Sequence, residues 1–405
     1  MKKIRYGVIG IKGFGKHHIQ AASINPHVEI VAFSDIDEEF LLAKSKASGV
    51  KGFSRYQDML SAGILDAVSI VVPHHLHYSI GKDCLKAGLH IYLEKPFVNT
   101  ISQADTLLGI AREKNLKICV GYQYRNYQVS RFLKKCLDEG KIGKVMRILW
   151  TWLDFRPEAY YRRDAWRCDF ETSGGGVLMN QASHDIDLIQ WMFGKPKEVC
   201  AFAGNHLHKA EIDDIACVNA IFETGAFGSF QFGINHPKAL SIRQIAGTKG
   251  MIAMQDVQSL AAEEQDFIEV GLYEKELSLL SEEALAPHVH PVIQWKKHCV
   301  NPKTPFLRKL LSPKRMLMKL GFFHPKYQIS PGISELMNSF ISSILNNTQP
   351  FVSGENARNS VEFINAIFLS ALKKKTVSLP LDPQEYESLY ENIAKGKIQI
   401  PKFFR

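Results

Sequence analysis

The residues most able to do chemistry begin with a glycine turn. Gly10-Ile11-Lys12-Gly13-Phe14-Gly15 follows the apolar run Ile4–Ile9 and opens a helical stretch. A dinucleotide fingerprint needs glycines at its first, third and sixth places, for a tight turn, close pyrophosphate approach and close helix packing. Here the third place is Lys12, and Gly13 supplies flexibility one step later. A second strand, Glu29–Ser34, ends at Asp35, twenty residues past Gly15. A carboxylate there is placed to bind the hydroxyls of an adenosine ribose. Asp35 and Asp37 would repel a ribose 2′-phosphate, which favours NAD over NADP, while the Lys12 ammonium could reach a phosphate.

Two further groups lie directly after apolar strands. Pro73-His74-His75-Leu76-His77 follows Ala67–Val72, and Glu94-Lys95-Pro96 follows His90–Leu93. Both fall on the carboxyl edge, where open α/β sheets bind ligands. Three histidines on one short turn without a carboxylate are poor zinc geometry, so no metal is expected. The Pro96 ring would fix the loop that presents Lys95.

The elements that must hold these groups alternate strand and helix through residues 1–120, which predicts a parallel sheet with right-handed crossovers. Beyond about residue 124 the pattern changes. β-rich runs stand at Val145–Trp152, Val199–Ala203, Ile215–Glu223 and Ala226–Ile234. Helices are expected at Ala182–Met192, from about Ile333 to Leu345, and over Asn359–Leu372. The expected fold class is therefore α/β: an N-terminal Rossmann doubly wound parallel sheet, then a C-terminal α+β domain with an open, predominantly antiparallel sheet. The division is expected as residues 1–123 for NAD(P) binding and 124–405 for substrate binding and oligomerisation.

Composition narrows the classes. The chain has 405 residues, 45% hydrophobic and 22% charged, as a globular protein does. No apolar run is long enough to span a membrane. The start, MKKIRYGVIG, lacks a small-residue cleavage site and reads as a first strand of a cytoplasmic protein. Seven scattered cysteines without a CxxC pair indicate neither a disulfide framework nor a zinc site. The net charge of +9 is concentrated between Lys296 and Lys326, where nine Lys or Arg residues stand without one acid. The rest is balanced, so nucleic acid is not an expected partner. Within this basic insertion, Ser312-Pro313 reads as a helix start and Gly321 as its stop. The insertion either packs on the domain or makes a peripheral contact with anionic lipid or another polyanion.

Taken in order, the glycine turn, the proline–x–x–x–His loop and Glu94-Lys95-Pro96 resemble the glucose–fructose oxidoreductase/inositol dehydrogenase (Gfo/Idh/MocA) family. So do Gly121-Tyr122-Gln123-Tyr124-Arg125, the run from Gly174-Gly175-Gly176 through Asn180-Gln181-Ala182-Ser183-His184 to Asp187, and Gly247-Thr248-Lys249-Gly250. The resemblance implies a Rossmann domain followed by an open-sheet domain. It implies an oxidoreductase that passes hydride between a sugar ring hydroxyl and nicotinamide. Lys95 would contact nicotinamide and the substrate hydroxyl, and His184 would be the general acid/base, a task suited to imidazole. The implied cofactor contacts are Gly10, Lys12, Gly13, Phe14, Gly15, Asp35, Pro73, His74, His77, Glu94 and Lys95. The position four before the histidine is often Asp in the family; here it is Asn180, which orients a hydroxyl but cannot ionise.

The passage Tyr160-Tyr161-Arg162-Arg163-Asp164-Ala165-Trp166-Arg167, with Leu178-Met179-Asn180-Gln181, is similar to the nucleotide-sugar branch, which oxidises UDP-linked N-acetylglucosaminuronic acid at carbon 3. Where that branch commonly continues with Gly, this chain has Cys168. Implied substrate contacts are Arg125, Arg163, Trp166, Arg167, Asn180, Gln181 and His184. Arginines suit a uronate carboxylate or a diphosphate because guanidinium pairs bidentately with both. The expected partners are a sugar or nucleotide sugar and further copies of the chain, a dimer or tetramer meeting through the C-terminal sheet. An NADP-dependent ketosugar reductase and a non-catalytic dinucleotide-binding sensor stand as alternatives.

Overall fold

The structure is a computed structural model, which describes residues 3–255, 267–275, 277, 291–300 and 331–402. Short, mostly apolar segments build the first sheet, with an exposed edge strand β3: β1 (Ile4–Ile9), β2 (Val28–Ser34), β3 (Lys51–Phe53), β4 (Ala67–Ile70), β5 (His90–Leu93) and β6 (Ile118–Val120). They lie in the order β3-β2-β1-β4-β5-β6, every pair parallel. Tyr6, Val8, Val68, Ile70, Ile91 and Leu93 are buried, as a sheet covered on both faces requires. The strand order reverses between β1 and β4. The crevice outside their carboxyl ends is where this doubly wound fold takes ligands.

The second sheet has nine strands: β7 (Val145–Phe155), β8 (Pro196–Gly204), β9 (Ile215–Phe222), β10 (Phe227–Gly233), β11 (Asn235–Gly247), β12 (Gly250–Gln255), β13 (Phe267–Tyr273), β14 (Ile293–Cys299) and β15 (Val377–Ser378). The order is β14-β13-β12-β11-β7-β10-β9-β8-β15, antiparallel except for β7 beside β10. The alternation expected over Gly228–Gly233 is present: Phe230 and Phe232 are buried, Ser229 and Gln231 exposed. The helices Ser183–Phe193 and Gly354–Lys373 pack against one another, and the second also lies on β8.

Sequence patterning missed strands β11 to β14. β11 opens with His236-Pro237-Lys238, and its pairing with β7 shifts register between Asn235 and Leu240, so no clean alternation announces it. Lys296 and Lys297, taken as the start of a basic insertion, instead pair in β14 with Val270 and Glu269. The segment read as a helix from Ser312 to Gly321 lies outside the described residues.

The chain returns to the first sheet at its end. The helix Pro331–Leu345 packs on the helix Gly15–Ser23, and Gly354–Lys373 packs on Ile101–Glu113. Asn365 ties the units, donating to the Asn99 carbonyl at 3.0 Å and accepting from the Ile101 N–H at 3.1 Å. Among the described residues no helix is long and apolar enough to cross a membrane.

Candidate active site

The glycine turn forms the cradle expected of it. Gly10 has φ +81°, and a Cβ there would run into the Val71 carbonyl; one on Gly15 would run into the Gly10 carbonyl. Only glycine lets β1, the β4 loop and the helix come this close. Gly13, φ +49°, faces open space. The helix Gly15–Ser23 has no side-chain cap; its Gly15 and His17 N–H groups turn back to the Lys12 and Phe14 carbonyls at 2.9 and 3.0 Å. Asp35 at the end of β2 accepts from the Ile11 N–H at 2.9 Å and from the Asp37 N–H at 3.0 Å. A carboxylate beside an open glycine turn at an uncapped helix start fits a dinucleotide. Lys12 pairs with Asp37, which also accepts from the Phe40 N–H, and does not stand in as the turn's third glycine.

Across the crevice, one helical irregularity presents the polar groups. Gly176 lies so close to Asp213 that a Cβ would strike its carbonyl, and the Asp213 carboxylate accepts from the Gly176 and Leu178 N–H groups at 2.5 and 2.9 Å. Burial pushes the Asp213 carboxyl up to about 6, against these backbone donors. From this clamp the chain makes a single π-helical turn, Val177–Gln181, a feature often found at functional sites. The turn carries Asn180 and Gln181, and the helix after it carries His184.

Lys95 and Asn180 meet directly. The Lys95 ammonium donates to the Asn180 carbonyl at 2.6 Å, with the Asn180 Oδ1 at 3.4 Å. Asn180 and Gln181 donate to the Tyr160 hydroxyl at 3.1 and 3.4 Å. The His184 ring stacks on Tyr124, centroids 4.1 Å apart, and stands edge-on to Tyr122. Its Nδ1 is buried without a partner, as are Gln181 Oε1 and Arg167 Nε. Buried orphans of this kind mark where a ligand would supply the missing bonds.

The electrostatics set the two titratable groups apart. Burial pushes the Lys95 amine down to about 8, with Glu94 opposing and Arg167 reinforcing the shift. Burial and then the Lys95 charge hold His184 well below its ordinary value, so its imidazole is neutral at neutral pH. A neutral imidazole with a free nitrogen accepts a proton; a neighbouring ammonium stabilises a developing oxyanion.

The arginines divide. The Arg167 guanidinium lies 4.8 Å from the Tyr160 ring centroid and 4.7 Å from that of Trp166, and pairs with Asp164. Arg163 also reaches Asp164, at 3.1 Å, but is largely exposed. Trp166 stands edge-on to His74, centroids 4.7 Å apart. Arg125 is held inside the protein: its guanidinium forms a bidentate pair with Asp187, at 2.7 Å to each oxygen, both side chains 1% exposed. It braces the helix that carries His184 through Asp187.

Three of the expected cofactor contacts also make hydrogen bonds within the protein. His77 is buried, its nitrogens at the Pro96 and Val72 carbonyls, 2.7 and 3.0 Å away, so it ties the two strand-end loops together. His74 binds the Ser173 carbonyl at 2.8 Å, joining its loop to the glycine-rich segment. Glu94 directs one oxygen to His18 at 2.8 Å and the other to the Lys95 N–H at 3.2 Å. Pro73 and Phe14 remain partly exposed at the crevice.

Sequence reasoning passed over Tyr160, Tyr124, Asp213 and His18. His18 is fully buried; its Nδ1 meets Ser69 Oγ at 2.8 Å, and Ser69 Oγ meets the Tyr6 hydroxyl at 2.7 Å. Its partners lie 51 and 76 residues away, beyond any local pattern. Tyr160 and Tyr124 stood inside passages already singled out, each an aromatic within two residues of an arginine.

Comparison with known proteins identifies the family and the fold. Residues 4–122 match the model of an oxidoreductase family with an NAD-binding Rossmann fold, and residues 130–253 match the GFO/IDH/MocA C-terminal domain. The oxidoreductase YrbE of Bacillus subtilis is 27% identical over 65% of this chain and 76% of its own. Inositol 2-dehydrogenase of Rhizobium meliloti is 27% identical over 64% of this chain and 78% of its own. The WlbA dehydrogenase of Bordetella pertussis, solved with NADH and UDP-GlcNAcA, superposes with a TM-score of 0.74 over 94% of this chain and 99% of its own, at 24% identity. Matched in both its parts, the chain belongs to the GFO/IDH/MocA family of oxidoreductases, with an NAD-binding Rossmann fold at its N-terminus.

Proposed function

We propose that this oxidoreductase uses NAD to oxidise or form a ring carbinol on a sugar that carries an anionic group, a nucleotide-linked uronate being the class that suits it best. The observation that carries this reading is the convergence of Lys95, Asn180 and His184 at the crevice, with Arg167 on the Tyr160 ring beside them. Gly10, Gly13, Gly15 and Asp35 would hold the dinucleotide, which supplies the hydride acceptor or donor. In oxidation, His184 takes the hydroxyl proton and Lys95 stabilises the alkoxide that develops. The Lys95 charge opposes protonation of His184, so the proton must leave His184 again in each turnover. Asn180 holds the ammonium through its carbonyl and cannot itself take a proton. Tyr160 steadies Asn180 and Gln181, and Arg167 offers the unused Nε to an anion. Residues 1–123 would bind the cofactor and 124–405 the sugar and further copies of the chain, in the cytoplasm.

A screen of NAD reduction tests this. UDP-linked uronates should turn over, and myo-inositol and glucose should be poor substrates. Added salt should weaken the uronates' KM. Arg167→Ala should cost one charge-assisted bond, about 1.5–3 kcal/mol, or roughly 10–150-fold in affinity. Efficient turnover of a neutral sugar, untouched by Arg167→Ala, would leave only the family assignment.

A further inference from the structure

The covered face of the second sheet holds a cation that the chemistry above does not use. β11 buries Ser241 and Arg243, two residues apart and so on one face. Across the ladder they pair with Trp152 and Trp150 of β7. Arg243 is 3% exposed, and its guanidinium carbon lies 4.4 Å from the Trp150 ring centroid. Nη2 donates to Asp185 Oδ1 at 2.9 Å, an oxygen that also accepts from Trp150 Nε1 at 2.8 Å. Nε and Nη1 have no partner, and neither has Ser241 Oγ.

A guanidinium stays charged at any ordinary pH, and a buried charge with unmade hydrogen bonds is costly. One shared carboxylate oxygen answers one of its three nitrogens. Three neighbouring polar atoms without partners, on one buried face, ask for an acceptor with at least two oxygens. Their place says which. Asp185 follows His184 in the chain, and Tyr124, stacked on the His184 ring, feels the charges of both Asp185 and Arg243. An anion at Arg243 would therefore sit against the helix that carries His184. Arg162 and Arg163 are exposed.

We propose that Arg243 and Ser241 form a carboxylate subsite for the sugar ring itself. Arg243 binds the acid group through its free N–H donors, Ser241 adds its hydroxyl, and Asp185 and Trp150 hold the guanidinium in place. The subsite selects sugar acids over neutral sugars. This rests on the reading of the crevice as a sugar site, and it assigns the anion's recognition to a residue not previously placed there.

The test is calorimetric binding in the presence of NADH, with two matched pairs of probes: glucuronate against glucose, and UDP-GlcNAcA against UDP-GlcNAc. Wild-type protein should prefer the acid in at least one pair by roughly 10–150-fold, the scale of a charge-assisted bond. Arg243→Gln should erase that preference while the neutral partner binds as before. Ser241→Ala should reduce it, and Arg243→Lys should retain part of it. Intact NADH binding shows that each variant is folded, and Ser241→Ala carries the test if Arg243→Gln does not fold. Equal loss for acid and neutral sugar in these variants, or no preference in wild type, overturns the proposal. Lost UDP binding in Arg243→Gln would place phosphate there and also overturn it. A preference seen only with glucuronate, with no UDP-sugar bound, would sink the nucleotide reading but sustain the subsite.

Discussion

Replacing Arg125 with Leu separates a strut from a ligand. The sequence places Arg125 among substrate contacts; the structure buries it against Asp187, which also accepts from Ser360 Oγ at 2.8 Å. Removing the guanidinium leaves a carboxylate that is 1% exposed with a single hydroxyl donor. Breaking a buried pair from one side costs about 3–5 kcal/mol, which is roughly a hundredfold to several thousandfold in the unfolding constant. Replacing Asp187 with Leu as well removes the stranded charge, so the double variant should recover much of the loss. Urea unfolding followed by tryptophan fluorescence suits the measurement, because Trp191 lies 5.6 Å from the Arg125 guanidinium carbon. The folded single variant should keep a KM near that of wild type. Wild-type stability together with a KM raised tenfold or more would refute the strut and restore Arg125 as a ligand.

Asp35→Ala should narrow the preference for NADH over NADPH in fluorescence titrations; a wild-type preference for NADPH would show that Asp35 does not read the ribose. Asp213→Asn removes one of the two acceptors that hold Gly176 and Leu178, and should cost about 1–3 kcal/mol in unfolding experiments. In wild type the Asp213 carboxyl titrates at about 6 when folded and at the ordinary 3.8 when unfolded, so folding favours its protonated form. Stability should therefore fall by about 3 kcal/mol as pH rises across that window. The Asn variant should lack that component, and an unchanged pH dependence would contradict it.

Much of the first sheet was legible because its signals are local. A strand, a glycine turn and a helix adjoin within Ile4–Ser23, and Asp35 follows at the end of the next strand. Glu94-Lys95-Pro96 and the segment around His184 were legible as motifs. What those motifs do not carry is partnership. Glu94 and His77 read as cofactor contacts, and the sequence does not show that their hydrogen bonds go to His18, Val72 and Pro96. Arg125 and Arg243 look alike in sequence; Asp187 satisfies the first from both oxygens, whereas Asp185 answers only one nitrogen of the second. Strands β11 to β14 were illegible for another reason. A register break and a mixed, half-exposed composition hide the period of two on which strand recognition depends.

The central claim is that Lys95 and His184 move charge and proton at one carbinol. Its most direct measurement is the pH dependence of kcat/KM for NAD reduction, from about pH 5.5 to 9.5, with the best substrate of the screen. Wild type should show no acid limb near the ordinary histidine value, because His184 stays neutral well below it. Activity should fall above pH 8, where Lys95 loses its proton. Lys95→Arg should carry that limb beyond the range, since guanidinium does not deprotonate there. His184→Ala should lower kcat by roughly 10²–10⁴-fold with NADH affinity nearly unchanged. Normal turnover in His184→Ala, or an unmoved alkaline limb in Lys95→Arg, would contradict the account.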